Sequence, residues 1–97
     1  MAAAFKFRLY LAGDSPNSTQ AKANLGALCK RYLSARGYKI EIVDVGKDPN
    51  RALTDGIFMT PSLLKLAPSP VRMIVGTLSR PEILLQSLGL LGNGAKR

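Results

Sequence analysis

The 97-residue sequence predicts an α/β protein in which the element order β-α-β-α-β-β-α forms a mixed four-stranded sheet with helices on both faces. Three observations carry this prediction. Apolar and polar residues alternate in the first strand, apolar residues recur at helical spacing in two segments, and the last two strands are too close for a crossover helix. A strand, a long helix and a second strand in succession require a right-handed crossover and therefore a parallel pair.

The first two predicted strands are FKFRLYLA, residues 5–12, and YKIEIVDV, residues 38–45. In the first strand, large apolar residues share one face. They are Phe5, Phe7, Leu9 and Leu11. The second strand alternates at first and is then apolar on both faces, which predicts an interior strand.

A long helix is expected between these strands, over residues 18–36. Asn17 is the predicted N-cap, because Gln20 three residues later completes a capping box, and Gly37 can end the helix in a left-handed conformation. Apolar residues at helical spacing form its buried stripe. They are Ala21, Leu25, Leu28, Cys29, Tyr32 and Leu33.

The second half predicts a short helix, an antiparallel hairpin and a last helix. Asp48 caps the short helix, which runs through Asp55 with Pro49 in its first position. The hairpin strands are residues 62–66 and VRMIVG, residues 71–76, joined by the turn APSPV. The last helix follows the capping box from Ser79 to Glu82, and residues 92–97 are expected to form a flexible tail. The predicted buried apolar residues of the last helix are Ile83, Leu84, Leu88 and Leu91.

Composition excludes several classes of enzyme. The chain has no histidine and a single cysteine, Cys29, so Cys/His zinc sites and Ser-His-Asp or Cys-His catalysis cannot be built. We expect Cys29 to be a buried hydrophobic residue of the first helix. The spacing of Asp44, Asp48 and Asp55 fits no EF-hand loop, so neither a metal nor a cofactor is expected.

The net charge of +8 favours an acidic partner, but the basic residues are scattered and form no dense nucleic-acid-binding arm. No apolar run approaches the about 20 residues of a membrane span. Lys6 and Arg8 interrupt the apolar stretch that a signal peptide would need. We expect one domain over residues 1–97, located in the cytoplasm and without a membrane partner. Nucleic acid is a less favoured partner than a protein, because the basic residues are scattered.

The element order is the thioredoxin-like arrangement, in which Thr60-Pro61 stands at the entrance of the third strand and is expected to be cis. A redox thioredoxin carries cysteines at the start of its first helix, where this chain reads AGDSPNST, so dithiol exchange is excluded.

Four segments resemble the KaiB family of circadian-clock proteins: LYLAGDSPNS, VDVGKDPNRA, MTPSLLKLAPSPVRMIVGTLS and the leucine-rich C-terminal helix. The resemblance extends over residues 9–91. It implies a non-catalytic adaptor that binds a KaiC-type ATPase and thereby sequesters KaiA or displaces a SasA-like sensor kinase. The alternative is a basic thioredoxin-like module that binds another acidic partner or nucleic acid.

The resemblance also implies two arrangements of one chain: a thioredoxin-like monomer that binds the ATPase, and a usually tetrameric state with a rearranged C-terminal half. Local signals agree with the thioredoxin-like monomer, which we expect to dominate over a dimer or tetramer. Gly89 is expected to weaken the last helix by about 1 kcal/mol relative to alanine. The candidate fold-determining residues are Pro61, Pro68, Pro70, Arg72, Ser87 and Gly89.

Several residues depart from the family pattern and indicate a divergent paralogue. Glu41 stands where the family carries a lysine, Gly56 replaces a basic residue and Thr77 replaces an acidic one. The predicted partner-binding residues lie on the second strand, the following loop and the short helix. They are Lys39, Glu41, Lys47, Asp48, Asn50 and Arg51.

Overall fold

A computed structural model describes residues 4–89 and contains the predicted element order. The elements are β1 (Phe5–Leu11), α1 (Pro16–Tyr32), β2 (Tyr38–Asp44), α2 (Pro49–Thr54), β3 (Ser62–Ala67), β4 (Arg72–Val75) and α3 (Pro81–Ser87).

The four strands form one sheet in the order β2-β1-β3-β4. β1 pairs parallel with β2, and β3 pairs antiparallel with β4, as the connection lengths predicted. β1 also pairs antiparallel with β3, a contact that only the structure shows. The prediction that the second strand is interior was wrong, because β2 lies at an edge. Ile40 packs against the hydrophobic core on one face and Val43 is buried in that on the other, whereas Ile42 is 43% exposed at this edge.

Each face of the sheet covers its own core. On one face, the four alternating apolar residues of β1 pack with α1, α3 and Leu63 of β3. On the opposite face, Tyr10 packs with Val43, Leu64 and the segment around α2 that includes Ala52 and Ile57. The two faces are called the α1/α3 face and the α2 face below. The buried position of Cys29 in the larger core confirms its predicted role.

The start of α1 differs from the prediction. The N-cap is Ser15, whose hydroxyl oxygen accepts from the Ser18 N–H at 3.2 Å, and Pro16 takes the first helical position. Pro16 suits the first helical position because it lacks an N–H and its fixed φ matches the helix. The helix therefore begins one residue before Asn17, which lies inside its first turn.

The end of α1 also differs. The helix ends at Tyr32, which is largely exposed beside Arg31 rather than part of the buried stripe. Gly37, at φ 84°, donates its N–H to the Leu33 carbonyl and closes the chain reversal before β2.

α3 is shorter than predicted. Arg80, not Ser79, is its N-cap residue, and the helix ends at Ser87, with Gly89 at φ 77° beyond it. Gly89 therefore helps to end the helix and does not weaken its interior. With Pro81 at the first helical position, Leu85 faces the core and Ile83 is exposed. The predicted continuation to Leu91 and the tail at 92–97 lie outside the described residues.

The hairpin contains the other candidate fold-determining residues. The Thr60-Pro61 bond is cis, as predicted, and Pro68 and Pro70 of the turn are also preceded by cis bonds. The Pro61 carbonyl accepts from the Gly76 N–H at 2.9 Å and so joins the two ends of the hairpin. Arg72 opens β4 opposite Lys65. That these residues choose between two folds stays a prediction.

The packing of Leu63 gives a direct test of the core. Leu63 is fully buried in the interior strand β3, so Leu63→Ala should lower the free energy of unfolding by about 2–5 kcal/mol through lost burial and an unfilled cavity. The matched control is Leu53→Ala on α2, where the leucine is 68% exposed and the change should stay within about 0.5 kcal/mol. Urea unfolding followed by circular dichroism measures both, and equal losses would contradict the described core.

Candidate functional site

The six predicted partner-binding residues lie on one side of the molecule, on the edge strand β2, the turn after it and the start of α2. We call these six residues the β2–α2 surface: Lys39, Glu41, Lys47, Asp48, Asn50 and Arg51. All are exposed except Arg51, which is half-buried. The structure brings Glu41 and Arg51 into contact, whereas the sequence placed them on separate elements.

Arg8 and Arg51 hold the Glu41 carboxylate from two sides. Arg8 Nε lies 2.9 Å from Glu41 Oε1, and Arg51 Nη2 lies 2.7 Å from Glu41 Oε2. Arg8 reaches Glu41 because β1 and β2 are parallel neighbours in which these two residues are paired across the strands. The contacts join β1, β2 and α2 through side chains.

Asp55 continues this network beneath α2. Arg8 Nη1 donates to Asp55 Oδ2 at 2.9 Å, and the hydroxyl of the buried Tyr10 donates to the same carboxylate oxygen. The Tyr10 hydroxyl also lies 3.1 Å from the Arg51 carbonyl oxygen. We call the five residues Arg8, Tyr10, Glu41, Arg51 and Asp55 the ionic cluster. Sequence reasoning missed Arg8, Tyr10 and Asp55 as parts of the site; the shared face of Arg8 and Tyr10 on β1 was the available signal.

The cluster stabilises the charged forms of its acids. The hydrogen bonds from Arg8 and then Arg51 lower the pKa of Glu41. The hydrogen bond from Tyr10 and then that from Arg8 lower the pKa of Asp55. Burial, followed by the hydrogen bond to Asp55, raises the pKa of Tyr10. Near neutral pH, Glu41 and Asp55 are therefore carboxylates and Tyr10 is a neutral phenol.

The remaining residues of the β2–α2 surface project around this balanced centre. The turn that presents Lys47 and Asp48 is held by Asp44, whose carbonyl accepts from both N–H groups at 3.0 and 2.9 Å. Asp48 occupies the N-cap position of α2, as predicted, but its side chain makes no capping hydrogen bond. Within residues 4–89, Lys39, Lys47 and Asp48 make no salt bridge, so their charges face solvent.

Two shallow grooves flank the ionic cluster. One, of about 240 Å³, lies between β1 and α2 and is lined by Arg8, Asn50, Arg51, Thr54 and Asp55. The other, of about 330 Å³, crosses β2, β1 and β3 and includes Lys6, Lys39 and Leu66. Both grooves are shallow and lined in part by charged side chains, so they suit a side chain of a partner protein better than a small apolar ligand.

The place where thioredoxins carry their redox centre has a different structure here. The Ser15 hydroxyl oxygen accepts from the Ser18 N–H, the two serine hydroxyls are hydrogen-bonded to each other, and the Ala12 N–H donates to the Ser18 hydroxyl oxygen. Burial raises the pKa of the Cys29 thiol to about 11, which makes it a poor nucleophile at neutral pH. Among the described residues, no three acidic, cysteine or histidine side chains gather as a metal site would need. In the same part of the chain, no helix has the length and apolarity of a membrane span.

Comparison with known proteins points to one family. The KaiB domain model matches residues 8–90. The circadian clock protein KaiB3 of Synechocystis sp. is 39% identical over 87 residues, which cover 90% of this chain and 84% of that protein. The circadian clock oscillator protein KaiB of Thermostichus vulcanus is also 39% identical over 87 residues, covering 90% of this chain and 80% of that protein.

Solved structures show the same fold at low sequence identity. The N-terminal domain of Synechococcus elongatus SasA superposes with a TM-score of 0.77 at 15% identity, covering 94% of this chain and 86% of that domain. Mitochondrial thioredoxin 3 of Saccharomyces cerevisiae superposes with a TM-score of 0.68 at 15% identity, covering 87% and 76% of the two chains. The thioredoxin-like fold predicted from the element order is thus confirmed.

The ionic cluster predicts a specific dependence of stability on pH. The pKa of Asp55 is lower in the folded than in the unfolded chain, so its stabilising contribution is full above the unfolded pKa of about 3.9 and disappears as pH falls through the folded value. Asp55→Asn should therefore cost about 1–3 kcal/mol near pH 7 and progressively less toward pH 2.

Urea unfolding of the wild type and of Asp55→Asn between pH 2 and 7 measures how the difference in their free energies of unfolding changes with pH. Thr54→Ala, at the exposed neighbouring position, is the control and should shift the unfolding curve little at any pH. A cost of Asp55→Asn that stays constant down to pH 2 would show that the carboxylate charge does not stabilise the fold.

Proposed function

The chain belongs to the KaiB family, whose members are non-catalytic components of circadian clocks, and from this membership we propose that it is an adaptor that binds a KaiC-type ATPase. Its binding regulates a clock or a related signalling pathway through competition with, or sequestration of, other partners. The observation that carries the proposal is the β2–α2 surface, in which exposed charges surround an ionic cluster that fixes α2 on the sheet.

The fixed position of α2 supports binding through this surface. Arg51 is held by Glu41, and Glu41 is held by Arg8, so the start of α2 and the turn before it are oriented before a partner arrives. A surface that is ordered in the free protein loses less conformational entropy on binding. Lys39, Lys47 and Asp48 then supply charges that are not neutralised inside the described part of the chain.

The proposed mechanism of regulation is competition for one site on the ATPase. The SasA N-terminal domain has the same fold as this chain, so two proteins of similar shape can present similar surfaces to a common partner. In this proposal the chain displaces a SasA-like kinase, and the complex with the ATPase sequesters KaiA. The edge position of β2 also leaves it accessible for backbone pairing with a further partner strand.

The binding species in this proposal is a single-domain, thioredoxin-like monomer. Size-exclusion chromatography with light scattering at several concentrations measures its mass. A mass near the 10.4 kDa of one chain is expected, and a stable tetramer would contradict this part of the proposal.

Charge reversal tests the β2–α2 surface. Lys47→Glu changes an exposed turn residue outside the ionic cluster, so the fold should persist while binding to the host's KaiC homologues weakens by about tenfold or more. Lys22→Glu makes the same change of charge at an exposed position on α1 and is the matched control. Pull-down followed by titration of the purified ATPase measures both variants.

Two outcomes would count against the proposed function. Equal binding of wild type, Lys47→Glu and Lys22→Glu would exclude this surface as the docking site. Failure to bind any KaiC homologue, with nucleic-acid binding that falls steeply with salt, would favour the nucleic-acid alternative suggested by the +8 charge.

A further inference from the structure

The opposite edge of the sheet carries an apolar surface that the proposed function does not use. β4 is the last strand in the order, and no strand in residues 4–89 pairs with its outer side. Met73 and Val75 are 44% and 48% exposed on the α2 face, opposite Leu64 and Ser62 of β3. Unpaired backbone beside exposed apolar side chains can accept another strand.

A groove runs beside this strand on the α1/α3 face. It has a volume of about 290 Å³ and lies between β4, the segment after it and α3. Its apolar lining is Ile74, Val75, Leu78, Ile83 and Leu84, of which Ile83 is 44% exposed. A strand added to β4 would therefore find an apolar groove on one side and the Met73 and Val75 side chains on the other.

The charge around β4 and the groove indicates which chemistry a docking segment should have. Residues 56–81 contain no Asp or Glu but include three cations: Lys65, Arg72 and Arg80. Arg80 lines the groove and lies 3.9 Å from Glu82, and Arg72 is exposed at the start of β4. Burial and then the charge of Arg72 lower the pKa of Lys65, the residue paired with Arg72 across the hairpin. Arg80 is shared with Glu82 and Lys65 is buried. Arg72 is exposed and makes no salt bridge among residues 4–89, so the excess positive charge at this edge is complementary to carboxylates.

We propose that the outer edge of β4, together with the groove against α3, docks an extended segment of a partner protein that has an apolar centre and acidic ends. The segment adds to the sheet as a fifth strand through backbone hydrogen bonds. One apolar side chain enters the groove between Ile74 and Ile83, and flanking carboxylates face Arg72 and Arg80. A second copy of this chain is a poorer occupant, because it brings the same cations and a net charge of +8 to the contact.

A synthetic peptide tests this site directly. The probe is fluorescein-labelled Glu-Glu-Val-Ile-Val-Glu-Glu, titrated with the whole protein by fluorescence polarisation at low and at physiological salt. Two control peptides carry Lys in place of every Glu, or N-methyl groups on the three central residues, which remove the N–H donors that a strand needs. Each control should bind about tenfold or more weakly than the probe.

Protein variants then locate the site. Val75→Thr combined with Ile83→Gln alters the exposed apolar side chains on both sides of the β4 edge and keeps a β-branched residue in the strand. Ile42→Thr is the matched control, since Ile42 is 43% exposed on the opposite edge strand β2. The double variant should bind the probe about tenfold more weakly, and Ile42→Thr should bind it as the wild type does.

Circular dichroism and urea unfolding of each variant separate lost binding from lost folding, and Val75→Thr alone replaces the double variant if the latter is unfolded. The proposal is overturned if the probe and its N-methylated form bind equally, if Ile42→Thr is the variant that weakens binding, or if no binding is detected. It is also overturned if the double variant abolishes a concentration-dependent dimer, because the occupant is then a second copy. These results are independent of binding to a KaiC-type ATPase.

Discussion

The central strand β1 is the constraint on which the rest of the structure depends. It is paired on both sides, parallel with β2 and antiparallel with β3, and its side chains alternate between the two cores. Phe7 and Leu9 face α1 and α3, while Arg8 and Tyr10 face α2. A shift of one residue in its pairing would exchange these sets, placing Arg8 in the larger core and phenylalanine on the surface. Both cores and the ionic cluster therefore fix the same register.

The ionic cluster gives Glu41 a structural role. The resemblance to the KaiB family implies a lysine at this position, whereas Glu41 is contacted by Arg8 and Arg51. A lysine in this position would place three cations together beside the edge of the sheet. Glu41 instead joins β2 to α2 through Arg51 and so helps to fix the geometry of the β2–α2 surface.

The two edges of the sheet have different chemistry. β2 carries exposed charged residues and continues into the turn and helix that we propose to contact an ATPase. β4 is short, exposes Met73 and Val75, and lies within a segment, residues 56–81, that contains no Asp or Glu. Charge and shape on β2 favour a folded partner, whereas the bare strand edge beside a narrow apolar groove favours an extended segment. The two proposed binding sites therefore lie on opposite edges of one small sheet and differ in the kind of partner that they suit.

The element order, the parallel β1–β2 pair, the antiparallel β3–β4 hairpin and the burial of Cys29 could all be predicted from the sequence, because they follow from short-range patterns and connection lengths. A single cysteine likewise leaves no pair for dithiol exchange. The N-caps of α1 and α3 were predicted wrongly, since prolines at the first helical positions competed with the expected capping boxes. The edge position of β2 and the meeting of Arg8, Tyr10 and Asp55 with Glu41 and Arg51 became visible in the folded chain alone. Those contacts join residues as many as 47 positions apart, so they depend on strand order and side-chain reach, which no local pattern encodes.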